Sequence, residues 1–95
     1  MDCLLNETLD ISTVLDSTEH YKQWLADSNQ ALNLDASDVS RVDAAGIQAL
    51  ASLFLTAEKN QQKVTLNNSP KVLTDGITIL GLTTVIDVSQ RVDKE

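Results

Sequence analysis

The side chains that could do chemistry in this chain lie in one polar stretch, residues 35–47. Asp35, Asp38 and Asp43 are carboxylates of the type that binds Mg²⁺ where strands end. Asp43 also stands directly before an apolar run, so its side chain can accept hydrogen bonds from the first amides of a helix. Helix capping by Asp43 and strand termination by Asp35 are the simpler interpretation, and we therefore expect no metal site.

The remaining reactive side chains are isolated from one another. His20 is the only histidine, and no recognisable motif places a nucleophile beside it, so a catalytic triad is not expected. The sequence has no Cys and His pairs at metal-ligand spacing. Cys3, the only cysteine, is expected to be a small apolar residue of the first strand, with a reactive or intermolecular thiol as the alternative. The sequence thus predicts a non-enzymatic protein that uses no cofactor.

Strands and helices alternate around the polar stretch. Apolar runs predict four strands, at Cys3–Leu5, Ala31–Asp35, Lys63–Leu66 and Val85–Val88. Apolar residues at helical spacing predict three helices, from Val14 to Ser28-Asn29, from Ala44 to near Asn60, and from Pro70 to Leu80. This alternation implies parallel strands joined by right-handed crossovers. With 95 residues, the chain is expected to form a single domain over residues 1–95.

The third predicted helix carries signals at both ends. Ser69 is expected to cap it, with Pro70 at its first position and Gly81 as its C-terminal stop. Gly76 lies inside this helix and is expected to weaken it by about 1 kcal/mol relative to alanine.

The second predicted helix carries more apolar surface than one buried face needs. Ile47, Ala51 and Leu55 lie beyond its main apolar stripe. We expect this surplus to be buried in a central helix, with a docking surface as the alternative.

The composition favours a protein partner with a basic surface. The net charge of −7 makes nucleic acid an unexpected partner, because phosphate contacts need clustered Lys and Arg, and it disfavours an anionic membrane surface. No stretch has the length of a transmembrane helix, and no long apolar region follows the acidic start Met1-Asp2, so neither membrane insertion nor a signal peptide is expected. The single cysteine is typical of a reducing compartment, which predicts a cytoplasmic location.

The segment Val42-Asp43-Ala44-Ala45-Gly46-Ile47 resembles the signature loop of STAS domains, the sulfate-transporter and anti-sigma-factor-antagonist family. That loop has Asp, then Ser or Thr, a small residue, Gly and an aliphatic residue. Leu9-Asp10-Ile11-Ser12-Thr13, Val64-Thr65-Leu66-Asn67 and Leu80-Gly81-Leu82 extend the resemblance over nearly the whole chain. The resemblance implies a small α/β domain with a four-stranded, mainly parallel sheet and helices largely on one face.

The chain departs from the family pattern at several positions. Ala44 stands where regulated members are phosphorylated by a partner kinase, and Ala45 stands where a second Ser or Thr is common. Glu7 occupies a position where Gly is common. The usual first strand of the family is expected to be missing or shortened, which would leave an open sheet edge through which the domain could form a homodimer.

The resemblance implies a protein-interaction module like an anti-sigma-factor antagonist, which is not switched at Ala44. Its partner would be a kinase-like anti-sigma factor or another signalling protein. The alternative is an accessory subunit bound to the ATPase of a phospholipid-transport ABC complex, and a loop that only connects a strand to a helix remains open. Ser37 is expected to form a turn rather than to be modified, and so is Ser40. The predicted partner-binding residues are Asp38, Ser40, Arg41, Asp43, Ala44, Ala45, Gly46 and Ile47.

Overall fold

The computed structural model describes residues 2–27 and 31–86, and these form five strands and three helices. In chain order the elements are β1 (Asp2–Leu4), β2 (Thr8–Leu9), α1 (Val14–Asp27), β3 (Ala31–Asp35), β4 (Arg41–Val42), α2 (Ala44–Lys59), β5 (Lys63–Asn67) and α3 (Lys71–Ile79). The predicted alternation of strands and helices is confirmed, and each of the three predicted helices is present.

The strands form two parallel sheets instead of one. β3 is central in the larger sheet, whose strand order is β1-β3-β5, with Cys3 beside Leu34 and Leu32 beside Val64. β2 and β4 form a separate two-stranded ladder. The predicted parallel pairing is confirmed, whereas the predicted four-stranded sheet is not found within the described residues.

The observed strands differ from the predicted four-stranded sheet for two reasons. β2 and β4 are only two residues long each, and Thr8 and Arg41 interrupt any apolar pattern that would predict them. The predicted strand Val85–Val88 begins in a turn, because the amides of Val85 and Ile86 both donate to the Leu82 carbonyl, at 3.0 and 2.9 Å. Asp87 and Val88 lie outside the described residues.

One face of the larger sheet is buried and the other is open. Burial alternates along β3, so that Leu32 and Leu34 face the core while Asn33 points away from it. On the open face, Asn33 links its two neighbouring strands, since its Nδ2 donates to Asp2 Oδ1 over 3.1 Å and its Oδ1 accepts from Thr65 Oγ1 over 2.9 Å. The one-sided burial agrees with helices that lie largely on one face, and it explains a polar residue in the central strand.

α2 is the central helix of the fold. It contacts α1, α3, β2 and β5, and Ile47 and Ala51 are buried within this packing. Leu55 is partly exposed and faces away from the core. The expected burial of the surplus apolar surface is thus confirmed for Ile47 and Ala51.

The start of α3 differs from its predicted capping. Pro70 is the N-cap, and Lys71 is the first helical residue. The Ser69 hydroxyl makes no capping bond and instead pairs with Thr74 Oγ1 at 2.9 Å. A serine caps a helix only when the residue itself holds the N-cap position, and here Pro70, with its extended backbone, takes that position.

The end of α3 follows the predicted signal. Gly81 has φ +71°, a conformation that glycine adopts without a steric penalty. Its amide donates to Thr78 and the amide of Leu82 donates to Ile77, both at 3.0 Å, which is the Schellman pattern. Gly81 is therefore confirmed as the stop of α3.

Cys3 is buried in β1, and burial raises the pKa of its thiol.

Within the part of the chain that the structure describes, no helix combines the length and apolarity needed to cross a lipid bilayer.

Tyr21 places a hydroxyl in the apolar core. Tyr21 is 5% exposed, and its hydroxyl oxygen has no hydrogen-bond partner among the described residues. Burial raises the pKa of Tyr21 to about 12. The folded protein therefore holds the phenol proton more tightly than the unfolded chain does.

The stability of the fold is expected to fall as the pH rises from about 10 to about 12. The unfolded chain releases the Tyr21 proton in this range while the folded protein keeps it, which costs about 2–3 kcal/mol over two pKa units. Below pH 10 this contribution is fully present. Urea unfolding at a series of pH values measures the change.

Tyr21→Phe is the matched control for this pH dependence. The variant should lose the Tyr21 part of the slope, and at neutral pH it should be at least as stable as the natural chain, because it removes an unpaired buried hydroxyl. A slope that stays the same in Tyr21→Phe would show that other groups cause it.

Candidate functional site

The loop that follows β3 is folded on its own hydrogen bonds. Asp35 Oδ1 accepts from the Ser37 amide at 2.9 Å and from Asn68 Nδ2 at 3.2 Å, and these bonds hold the pKa of the Asp35 carboxyl below its usual value. Ala36 and Val39 are buried, and the Ala36 amide donates to the Asn67 carbonyl at 2.9 Å. The loop is therefore anchored at two points, and Asp38 lies exposed between them.

The second half of the loop lies against residues 7–9. The amides of Ser40 and Arg41 donate to the Glu7 carbonyl at 2.8 and 3.3 Å, and the Asp43 amide donates to the Leu9 carbonyl at 3.0 Å. These bonds continue the β2–β4 ladder on both sides. Backbone pairing thus fixes the path of the chain into α2.

The Asp43 carboxylate joins two segments. Oδ1 accepts from the Gly46 amide at 3.0 Å, so the predicted capping of α2 by Asp43 is confirmed. Oδ2 accepts from the Ile11 amide at 3.1 Å, which ties the turn before α1 to the start of α2. The second bond has no signal in the sequence, because it joins residues 32 positions apart.

Gly46 lets α2 approach β2 closely. A Cβ at this position would overlap the Leu9 carbonyl group and would lie 2.7 Å from the Asp10 amide nitrogen. Backbone atoms cannot rotate away as a side chain can, so only glycine fits here. Gly46 therefore has a structural reason for its place in the first turn of a helix.

The predicted partner-binding residues divide into two groups. Asp38, Ser40, Arg41 and Ala44 are exposed, and Asp43 and Ala45 are partly exposed. Gly46 and Ile47 are buried, with Ile47 only 1% exposed, so neither is available at the surface of the loop, and their contact with a partner stays a prediction. They support the loop from within, because they face β2 and the core.

The turn before α1 is a part of the site that the sequence reasoning missed. Asp10 Oδ1 accepts from the Ser12 amide at 3.0 Å and from the Ser12 hydroxyl at 2.6 Å, which holds the pKa of the Asp10 carboxyl below its usual value. Ile11 is exposed beside Asp43. The family-like segment Leu9–Thr13 was the available signal, but its apposition to Asp43 depends on tertiary structure.

The other chemically reactive side chains do not converge on this loop. No cluster of three or more His, Cys, Asp or Glu side chains suited to a metal ion occurs within residues 2–27 and 31–86. His20 stacks on Trp24 in α1, with 6.2 Å between ring centroids.

Gly46→Ala is expected to destabilise the fold by about 2–3 kcal/mol or more, because its Cβ overlaps backbone that cannot move without breaking the β2–β4 ladder. Gly76→Ala is the matched control in a helix. Its Cβ would lie 2.5 Å from Ile47 Cδ1, the end of a side chain that can shift, and about 1 kcal/mol of helix propensity offsets the cost. Urea unfolding of both variants measures the difference, and equal losses would contradict this explanation.

Asp43→Ala is expected to cost about 1–2 kcal/mol, because it removes the cap of α2 and the acceptor for Ile11. Asp43→Asn should cost less, since its amide oxygen can still accept from Gly46. Asp38→Ala serves as the control, because Asp38 is exposed, and its effect should stay within about 0.5 kcal/mol. Chemical denaturation ranks the three variants, and a loss in Asp38→Ala as large as in Asp43→Ala would contradict the capping role.

The chain matches a family of known proteins over most of its length. No curated protein matches the chain. The family model described as "Mlab, STAS domain" matches residues 5–88. The match takes in β2, β4 and the Asp43–Ile47 turn, and it extends over most of the 95 residues. The chain therefore belongs to the STAS domain family.

Proposed function

We propose that this STAS domain is a protein-interaction module of the anti-sigma-factor-antagonist kind, and that it binds its partner through the exposed part of the loop between β3 and α2. The contact residues would be Asp38, Ser40, Arg41 and Ala44, with Asp43 and Ala45 at their edge. The observation that carries the proposal is the exposure of these side chains on a backbone that is fixed at Glu7, Leu9 and Asn67. A rigid, exposed loop loses little conformational entropy on binding.

The second part of the proposal is that binding is not switched at Ala44. A phosphate at the first turn of a helix meets free amides and the positive end of the helix dipole, and it adds about two negative charges to an interface. Alanine has no hydroxyl to accept a phosphoryl group. The domain would therefore hold the conformation and charge of an unphosphorylated module at all times.

The kind of partner is also a proposal. A kinase-like anti-sigma factor or another signalling protein fits a cytoplasmic regulator, whereas the ATPase of a phospholipid-transport ABC complex fits an accessory subunit. Both partners would use the same loop. Affinity purification of the tagged domain followed by mass spectrometry distinguishes them by the identity of the protein that copurifies.

A homodimer through the open edge of β1 stays a prediction. β1 pairs with β3 and has no second neighbour among the described residues. Sedimentation at high protein concentration tests it, and a monomer there would argue against it.

Ala44→Glu is expected to lower the affinity for the copurified partner at least tenfold (about 1.4 kcal/mol), because it replaces a methyl group with a long charged side chain that must lose its hydration in the centre of the surface. The variant should still fold, since an acidic residue in the first turn of α2 is compatible with the helix dipole. Ser52→Glu adds the same charge two turns along α2 and should leave the affinity unchanged.

Titration calorimetry with the purified partner measures both affinities. Ala44→Ser is a third variant and should bind within about twofold of the natural chain, because a small hydroxyl adds no charge. Equal binding by Ala44→Glu and the natural chain would contradict the proposed surface.

A further inference from the structure

Two large apolar side chains are exposed near the start of α1, one of them beside the Asp43 cap. Ile11, in the turn before α1, is 68% exposed, and Leu15, in the first turn of α1, is 80% exposed. The Ile11 amide donates to Asp43 Oδ2 at 3.1 Å, so Ile11 is held against the proposed interaction loop. Leu15 follows four residues later and is the second residue of α1. We call Ile11 and Leu15 the apolar pair.

The backbone beneath the apolar pair is well ordered by hydrogen bonds. Asp10 Oδ1 accepts from the amide and the hydroxyl of Ser12, and Thr13 Oγ1 donates to the Thr8 carbonyl at 3.0 Å. The Ser17 amide donates to the Thr13 carbonyl at 2.9 Å, which joins the turn to α1. The exposed side chains are thus presented on a fixed frame, as anchors of a protein interface are.

The surroundings of the apolar pair are strongly acidic. Residues 5–16 and 35–48 contain six acidic residues and one basic residue, Arg41. The first parts of both segments follow the carboxyl ends of β1 and β3 at one edge of the larger sheet, and the segment after β5 adds Lys71 there, which is paired with Asp75. Hydrogen bonds keep the pKa of the Asp10 and Asp35 carboxyls below their usual values, so these groups are charged at neutral pH. The six acidic residues are Glu7, Asp10, Asp16, Asp35, Asp38 and Asp43.

We propose that the apolar pair forms the second half of the partner surface, and that it receives a protein segment with apolar residues flanked by Lys or Arg. The proposal rests on the function proposed above and gives the partner its chemistry. Burial of Ile11 and Leu15 would supply affinity, while the acidic rim would attract the basic flanks and raise the association rate.

The negative charge of this edge favours some binding partners over others. A second copy of the chain would bring one acidic rim against another, which is unfavourable. Phosphate groups of nucleic acids or anionic lipids would meet the same repulsion. A basic protein segment gains from both the charge and the apolar surface, so it is the occupant that the observations favour.

Site-specific photo-crosslinking in cells that express the protein tests where the partner lies. A photo-crosslinking amino acid is placed at position 11, 40 or 79, one at a time. Ser40 lies in the proposed loop, and Ile79 is an isoleucine on α3 that is 82% exposed, more than Ile11. Positions 11 and 40 should crosslink to the same protein, position 79 should not, and the peptide attached to position 11 should contain apolar residues and an excess of Lys and Arg.

The outcomes separate this inference from the proposed function. A crosslink from position 40 alone, or an acidic peptide at position 11, overturns the inference and leaves the proposed function standing. Crosslinks from neither position contradict both. A crosslink from position 11 to a second copy of the chain replaces the basic partner with a homodimer and so overturns the inference.

Substitutions measured with the purified partner provide a second test. Ile11→Ser and Leu15→Ser should each weaken binding at least tenfold, whereas Ile79→Ser should leave it unchanged. Asp16→Asn, in the first turn of α1, should slow association at low salt, and Asp27→Asn, at the other end of the same helix, should not. Circular dichroism melts check that each exposed substitution leaves the fold intact. Equal binding by Ile11→Ser and Ile79→Ser overturns the inference.

Discussion

The arrangement of this domain depends on one carboxylate, which accepts backbone hydrogen bonds from two separate segments. Asp43 caps α2 through Gly46 and at the same time holds the turn before α1 through Ile11. Hydrogen bonds from amides to a charged carboxylate are stronger than those between neutral groups, so this bridge is a substantial local constraint. It is reinforced by the absence of a side chain at Gly46, which lets the start of α2 lie directly on Leu9. Ile11 and the loop around Ala44 take their positions from these contacts.

This constraint separates two parts of the STAS signature that the sequence presents as one motif. Asp43 and Gly46 are required for folding, because Asp43 caps α2 and Gly46 leaves room for the Leu9 carbonyl of β2. Ala44 is exposed and takes part in neither contact. A hydroxyl at position 44 can therefore be lost while the loop keeps its shape. Retention of Asp43 and Gly46 is evidence for the fold, and the exposed side chains around them carry the argument for binding.

The sequence predicted the elements with long apolar patterns and missed the features made by contacts. Helix α2 and strands β3 and β5 have clear periodicity and were found, since burial imposes that periodicity on them. β2 and β4 are held by pairing between distant residues, which leaves no local pattern. The capping role of Asp43 follows from its position, but its bond to Ile11 spans 32 residues. The burial of Ile47 follows from the apolar surplus of α2, but its close approach to Gly76 of α3 depends on tertiary structure.

The close approach of α3 explains why the candidate surface is supported from the core as well as by the hydrogen bonds of its own loop. A side chain at Gly76 would overlap the space that Ile47 Cδ1 occupies, and it would also lie 3.6 Å from Val42 Cγ2. α3 thus lies directly on Ile47 and β4, so the loop rests on a packed core. Interfaces built on such a support change little in backbone when a partner binds. A loss of affinity after an exposed substitution here therefore reports a lost contact or charge, because the frame that presents the side chain stays in place.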